Sequence, residues 1–118
     1  MQLTEAQFPS GARPIDGYGP GFFRIAGKVH EGGVTVSALG VSPWRGLADK
    51  APLLALAGQT DVLFLGMGGD IAPPPRPLLA QLEAAGIMAE AMSSPSAARS
   101  YNVLLAEGRR VACALIPV

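Results

Sequence analysis

An uninterrupted apolar run, Val62-Leu63-Phe64-Leu65, passes directly into a glycine-rich turn at Gly66 to Gly69. A continuous run of this kind is typical of a strand that is covered on both faces, whereas a strand with one wet face alternates. A sheet covered by helices is the arrangement of α/β domains. The run therefore predicts a buried strand in a sheet with helices packed against it.

Helix and strand signals alternate around that strand. A helix should follow the prolines Pro73 to Pro77 and end near Ala85, with Leu78, Leu79 and Leu82 as its buried stripe. The other predicted elements in this part of the chain are a helix from an Asp49 cap to Ala57, a strand over Ile87–Met92, a helix over Ser94–Glu107 and a strand over Val111–Ile116.

Two stretches of alternating polarity, Phe23–Val29 and Val34–Ala38, precede these elements. They flank Glu31-Gly32-Gly33, and glycine permits the positive φ that hairpin turns require. We therefore predict an antiparallel hairpin with its turn at these glycines. Its wetter face should carry four polar side chains: Arg24, Lys28, Thr35 and Ser37.

The first 21 residues are rich in glycine and proline, which oppose a helix or a long strand. We predict that residues 1–21 form an extended arm and that residues 22–118 form a single mixed α/β domain. The predicted order is β-β-α-β-α-β-α-β. Short connections between alternating strands and helices favour parallel neighbours. The sheet should therefore be mostly parallel, with the hairpin as its antiparallel part.

Composition limits the classes of binding partner and the cellular location that we expect for this protein. Apolar residues make up 49% of the 118-residue chain, which suffices for one packed core. Nine basic and nine acidic residues cancel, so nucleic acid, which needs a concentrated basic surface, is not an expected partner. No apolar run approaches the ~20 residues that span a bilayer, and no signal peptide is recognisable at the start. We predict a cytoplasmic protein that is not inserted in a membrane.

Conventional catalytic and metal-binding residues are sparse. His30 is the only histidine, and it falls in the predicted hairpin. Cys113 is the only cysteine, and in a buried strand it acts as a small apolar residue. No serine has the surroundings of a nucleophile elbow. We therefore expect no metal, no cofactor and no catalytic residues, and the inference leans against an enzyme.

The glycine turn at Gly66, Met67, Gly68 and Gly69 is the candidate ligand site. Ligands of open α/β sheets bind beyond the carboxyl ends of strands, and backbone N–H groups of a glycine turn can hold an anion. The dinucleotide-binding pattern fails, because Ile71 stands where its third glycine belongs. A tight turn that needs small residues is the alternative. If the turn binds a ligand, Tyr101 and Asn102 are the candidate residues for the walls of the ligand site.

Four residues are candidates for a protein interface: Tyr18, Trp44, Arg45 and Arg99. A tryptophan in a loop beside an arginine is a common interface anchor, although Trp44 could equally cover the core. Asn102 is a poor helix former within a predicted helix. Hydrogen bonding from its amide to a neighbouring loop is the favoured interpretation.

Several segments together resemble a known family. They are Ile15-Asp16-Gly17-Tyr18 with Phe22-Phe23-Arg24-Ile25, the Trp44 loop, the stretch from Asp61 to Gly68 and the stretch from Ala98 to Val111. They are similar to the small domain-of-unknown-function family that includes the mitochondrial respiratory complex I assembly factor 3 and its bacterial and archaeal relatives. The resemblance covers about Ile15 to Pro117 and implies a compact α/β fold with a mixed sheet. Met67 departs from the Gly-Thr-Gly often found in the family.

The resemblance and the missing catalytic residues favour a bacterial interaction protein without enzymatic activity. It implies a role in assembling a larger complex, respiratory or membrane-associated, through a protein partner, with the chain itself a monomer or weak homodimer. The alternative is a small-molecule binder or weak enzyme that uses the crevice beyond the strand Val62–Leu65.

Overall fold

The computed structural model describes residue 8, residues 11–69 and residues 73–118. Most of the first ten residues of the predicted arm, and Ile71, lie outside the described residues. The strands are β1 (Ile15–Gly19), β2 (Phe22–Ile25), β3 (Lys28–Glu31), β4 (Val34–Ser37), β5 (Gly40–Pro43), β6 (Val62–Met67), β7 (Met88–Met92) and β8 (Val111–Ile116). The helices are α1 (Ala51–Leu54), α2 (Arg76–Ala84) and α3 (Ser94–Ala106).

Two sheets organise these strands. The central sheet has five strands in the order β5-β4-β8-β6-β7, and a smaller antiparallel sheet has the order β1-β2-β3. In the central sheet β6 is parallel to β7 and β8, whereas β4 is antiparallel to β8 and β5. The predicted mixed α/β fold is confirmed. The sheet was predicted to be mostly parallel, but only two of its four strand pairings are parallel. The other two are antiparallel, because β4 pairs antiparallel with both β5 and β8.

Each face of the central sheet has its own core. Phe64 of β6 packs in a cluster with residues of α3 and the small sheet, such as Tyr101 and Phe23. Leu63 and Leu65 point the other way, into a cluster with residues of α1 and α2. Coverage of both faces explains why β6 is a continuous apolar run.

The position predicted for the hairpin turn is wrong. The small sheet reverses at Ala26-Gly27, between β2 and β3, while β4 pairs with β5 and β8. Glu31-Gly32-Gly33 instead carries the chain from one sheet to the other. Position 33 requires glycine because of a close approach and not because of a hairpin turn. A Cβ there would lie 2.3 Å from the carbonyl oxygen of Trp44.

The predicted wet face is correct for only half of its residues. Arg24 and Lys28 are exposed on the small sheet, as expected. Thr35 and Ser37 are buried, at 7% and 6% exposure, because β4 lies inside the central sheet between β5 and β8. A two-stranded hairpin would have left these side chains in water.

The segment predicted as an extended arm contains strand β1. Its pairing with β2 shifts register between Ile15 and Gly17, so Asp16 lies at a bulge. The carboxylate of Asp16 accepts a hydrogen bond of 2.7 Å from the N–H of Gly27 and so fixes the β2–β3 turn. Glycine and proline limit β1 to five residues but do not exclude it.

Helix α1 is shorter than predicted, and Asp49 does not cap it. The N-cap position is Lys50, without a side-chain hydrogen bond. Asp49 instead serves the preceding loop: its carbonyl accepts from Trp44 Nε1 at 3.0 Å and its carboxylate accepts from the N–H of Arg45 at 3.2 Å.

Replacing Gly33 with alanine should destabilise the fold. The new methyl would meet the carbonyl oxygens of Trp44 and Leu115, at 2.3 and 3.2 Å, and neither backbone can move freely. We expect Gly33→Ala to lower the free energy of unfolding by about 2 kcal/mol in a denaturant titration. Gly17→Ala is the matched control, because a Cβ there meets nothing within 4 Å. Equal stability of the two variants would contradict the proposed contact.

Candidate functional site

The glycine turn after β6 is bound to the first residue of α3. The N–H of Gly68 donates to Ser94 Oγ at 2.9 Å, and Ser94 Oγ donates to the carbonyl of Ile116 at 2.6 Å. The N–H of Ser94 donates to the carbonyl of Gly68 at 2.8 Å. Ser94 is fully buried, so these bonds are made away from water.

Gly66 and Met67 continue β6, so the predicted turn is reduced to Gly68 and Gly69, and the space beside Gly66 is filled rather than open. A Cβ at Gly66 would lie 2.9 Å from Cα of Ser94 and 2.7 Å from Cδ2 of Leu115. Gly68 has a φ of +83°, which favours glycine, and its N–H is already used by Ser94. These contacts support a tight turn that needs small residues. Met67 is half-buried and Gly69 is exposed at the end of the turn.

Tyr101 and Asn102 lie elsewhere on α3 and contact the segment leading into β1. Tyr101 is 1% exposed, and its hydroxyl donates to the carbonyl of Arg13 at 3.0 Å. Asn102 accepts from the N–H of Ile15 at 2.9 Å and donates to the carbonyl of Ile15 at 2.8 Å. Tyr101 is seven residues after Ser94, which corresponds to about 10 Å along the helix axis. The structure therefore separates them from the glycine turn, and the predicted bonding of Asn102 to a neighbouring segment is observed.

The candidate interface residues divide into buried and exposed ones. Trp44 is 3% exposed and belongs to the core on the α1–α2 side, so it covers the core and offers no side-chain surface to a partner. Arg45 is exposed on the same loop. Tyr18 is 48% exposed, and the exposed Arg99 donates to Ser96 Oγ at 3.2 Å.

Cys113 and His30 form no recognisable catalytic or metal centre. Cys113 is fully buried in β8, and this burial raises the pKa of its thiol, so the reactive thiolate is disfavoured. His30 lies half-buried on β3. Within residues 8, 11–69 and 73–118, no three His, Cys, Asp or Glu side chains are grouped so as to hold a metal ion. In the same residues, no helix is long and apolar enough to cross a membrane.

A cavity that the sequence did not predict lies at the opposite end of the central sheet from the glycine turn. Its volume is about 520 Å³, and it is lined by residues before β1, after α3 and around the end of β4. Its walls include Arg13, Tyr101, Arg109 and Arg110. The only sequence signal was the adjacent pair Arg109-Arg110, since Arg13 is distant in the chain and Tyr101 reads as a core aromatic.

The sequence pattern of a known family matches residues 15–116 of this chain. The family is described as protein of unknown function (DUF498/DUF598), and the chain belongs to it. The match runs from the first residue of β1 to the last residue of β8. The family resemblance seen in the sequence is therefore confirmed.

Related proteins share both the sequence and the fold. An uncharacterised protein of Rhodobacter capsulatus is 62% identical over 109 residues, which is 92% of this chain and 88% of that protein. A crystal structure described as an outer membrane protein from Bartonella henselae has a TM-score of 0.84 and 36% identity, covering 95% of this chain and 99% of its own. A Bordetella pertussis protein described as an Mth938-like domain has a TM-score of 0.79 and 26% identity, covering 99% and 92%.

Removing the amide of Asn102 should weaken the attachment of β1 to α3. Asn102→Ala leaves the N–H and carbonyl of the buried Ile15 without partners, so we expect a loss of about 1–3 kcal/mol in the free energy of unfolding. Faster amide exchange at Ile15 should accompany it. Val103→Ala, at a neighbouring position that is 57% exposed, is the control. If both variants keep wild-type stability, the two bonds do not stabilise the fold.

The protein should lose stability in alkali. Burial raises the pKa of both Tyr101 and Cys113 in the folded chain. In the unfolded chain these groups release protons near their ordinary values of about 10 and 8.5. Stability is therefore full below about pH 8.5 and falls as pH rises, by up to about 1.4 kcal/mol per pH unit for each ionising group.

Denaturant titrations between neutral and strongly alkaline pH test this dependence. Tyr101→Phe and Cys113→Ala should each reduce the alkaline slope, and the double variant should reduce it most. A double variant with the wild-type slope would show that other groups cause the alkaline loss.

Proposed function

We propose that this protein is a non-enzymatic, cytoplasmic interaction protein that aids the assembly of a larger respiratory or membrane-associated complex. The observation that carries the proposal is that three of the large apolar side chains exposed in the described residues belong to one layer of the molecule, which also holds the exposed Arg99. Tyr18 of β1, Val29 of β3 and Val103 of α3 are 48%, 54% and 57% exposed. All three belong to the layer formed by α3 and the small sheet, which we term the outer layer.

Exposed apolar side chains on one layer favour a protein partner. Tyrosine and arginine are enriched at the centres of protein interfaces, where they supply large contact areas. Arg99 is four residues before Val103 on α3, so both side chains extend from one helix face. Tyr18, Arg99 and Val103 are therefore the proposed contact residues. Arg45 lies on the Trp44 loop, outside this layer, and would make a separate contact.

The polar residues that could serve chemistry are committed to the fold. Ser94 joins Gly68 to Ile116, Tyr101 binds Arg13, and Asn102 uses both amide atoms on Ile15. A catalytic role would require breaking these bonds in a largely buried setting, at a cost of about 1–3 kcal/mol for each unpaired group. This arrangement favours a rigid scaffold that presents a contact surface.

Relatives support the membrane-associated part of the proposal. The family resembled by the sequence includes a mitochondrial assembly factor for a membrane enzyme, and the Bartonella relative is described as an outer membrane protein. A peripheral protein that contacts a membrane complex needs no spanning helix of its own. We propose that the free protein is a monomer or weak homodimer that holds its partner through the outer layer.

Site-specific photo-crosslinking in the native cell tests the contact surface. A photoreactive residue at position 18 or 103 should capture the same protein, and that protein should belong to a membrane complex. Position 88 is the control, because Met88 is 62% exposed on β7, outside the outer layer. Equal capture of the same protein from all three positions would argue against the proposed surface.

Complementation separates binding from assembly. In a deletion strain, we expect less of the assembled complex on a native gel, and the wild-type gene should restore it. The double variant Tyr18→Ser, Val103→Lys should bind the captured protein at least about tenfold more weakly and fail to restore assembly. Met88→Ser should restore it fully. Full restoration by the double variant would contradict the proposal.

A further inference from the structure

The cavity at the amino end of β8 has a predominantly apolar inner wall. Tyr101, Leu105 and Val111 line it together with Ala38. Tyr101 and Val111 are also part of the core between the central sheet and α3, so this wall is continuous with the packed core. Its volume of about 520 Å³ lies within the range of about 300–1,000 Å³ that is usual for small-molecule sites.

Three arginines line the cavity, and among the described residues only Arg110 has a carboxylate at hydrogen-bond distance. Arg110 makes two hydrogen bonds with Asp61, of 3.2 and 2.9 Å, and a third with the carbonyl of Gly58. This pairing lowers the pKa of Asp61. Arg110 therefore already has a carboxylate partner, which makes it a weaker candidate than the other two arginines for binding a ligand.

Arg109 and Arg13 retain charge that a ligand could use. Arg109 approaches Glu107 only at 3.9 Å, with both side chains more than half exposed, and such pairs contribute little. The guanidinium of Arg13 has one described contact, 3.5 Å to the carbonyl of Gly11. A guanidinium binds a carboxylate through a planar fork of donors, so both side chains are candidates to pair with the carboxylate of a ligand in this cavity.

Two hydroxyl groups add polar contacts to the same cavity. Tyr101 donates its proton to Arg13, which leaves its oxygen free to accept. Ser37 is 6% exposed, and its Oγ accepts from the N–H of Leu39 at 3.0 Å. Among the described residues no acceptor is placed for the proton of Ser37. A few polar groups above an apolar wall are the usual composition of a small-molecule site.

We propose that this cavity binds a small organic acid with one carboxylate and a flat or short apolar body. The apolar body would rest against Tyr101, Leu105 and Val111, and the carboxylate would pair with Arg13 and Arg109. The site is separate from the outer-layer contacts at Tyr18 and Val103. A test of ligand binding at this cavity therefore does not decide the proposed assembly function, and a test of assembly does not decide ligand binding.

A matched pair of probes tests the two halves of the proposal. 2-Naphthoate carries a carboxylate on a flat apolar body, and 2-naphthamide has nearly the same shape without the charge. In ¹H–¹⁵N spectra of the full chain, 2-naphthoate should shift the amides of Ala38, Gly108 and Val111 in a saturable way. The amide should bind at least about tenfold more weakly, because it lacks charge-assisted hydrogen bonds.

Variants assign the charge to particular side chains. Arg13→Gln with Arg109→Gln should weaken 2-naphthoate binding at least about tenfold while leaving 2-naphthamide binding unchanged. Arg24→Gln with Arg76→Gln removes two exposed charges outside the cavity and should leave both unchanged. Thermal midpoints and near-ultraviolet circular dichroism establish that each variant is folded.

The proposal would be overturned by equal affinity for the two probes, by equal loss in both double variants, or by shifts confined to amides remote from the cavity. Absence of any saturable shift up to millimolar 2-naphthoate would also reject it. Inorganic phosphate serves as a third probe: binding as tight as that of 2-naphthoate would show a simple anion site without use of the apolar wall.

Discussion

The hydroxyl of Ser94 connects the start of α3 to the ends of two neighbouring strands, by accepting from Gly68 and donating to Ile116. This contact is possible only because Gly66 has no side chain, since a Cβ there would lie within 2.9 Å of Ser94. Asn102, further along the same helix, holds both backbone groups of Ile15. The contacts at Ser94 and Asn102 therefore attach one helix both to the central sheet and to β1.

Much of the fold could be predicted because it follows from local pattern. Helix α3 was expected over Ser94–Glu107 and occupies Ser94–Ala106, and the Ser93 hydroxyl accepts from the N–H of Ser96 as its N-cap. Strand β8 has the predicted bounds, and β6 extends the predicted run by two residues. The β3–β4 link could not be predicted, since a glycine needed for a turn and one needed for close approach look the same in sequence. Only the position of the Trp44 carbonyl distinguishes them.

The candidate site was harder to predict, because its residues are determined by tertiary contacts. The rule that ligands bind beyond the carboxyl ends of strands directed attention to Gly66 and Gly68. In this chain α3 begins directly over those ends, so Ser94 occupies the position that a ligand would take. The cavity lies at the other end, where Arg13 and Arg109 line the same space although their positions in the sequence differ by 96. Periodicity carries no information about which distant residues line one cavity.

Helix α3 has different roles on its different faces. Tyr101 faces the core and the cavity, Asn102 holds β1, and Val103 is exposed to solvent, so three successive residues face three different surroundings. A helix rotates by about 100° per residue, so neighbours in sequence can serve unrelated surfaces without interfering. Substituting Val103 therefore leaves the bonds of Asn102 intact, whereas substituting Asn102 loosens the strand that carries Tyr18. A loss of partner binding on changing Asn102 would consequently be an indirect effect of the fold, and direct contact is assigned only from exposed positions.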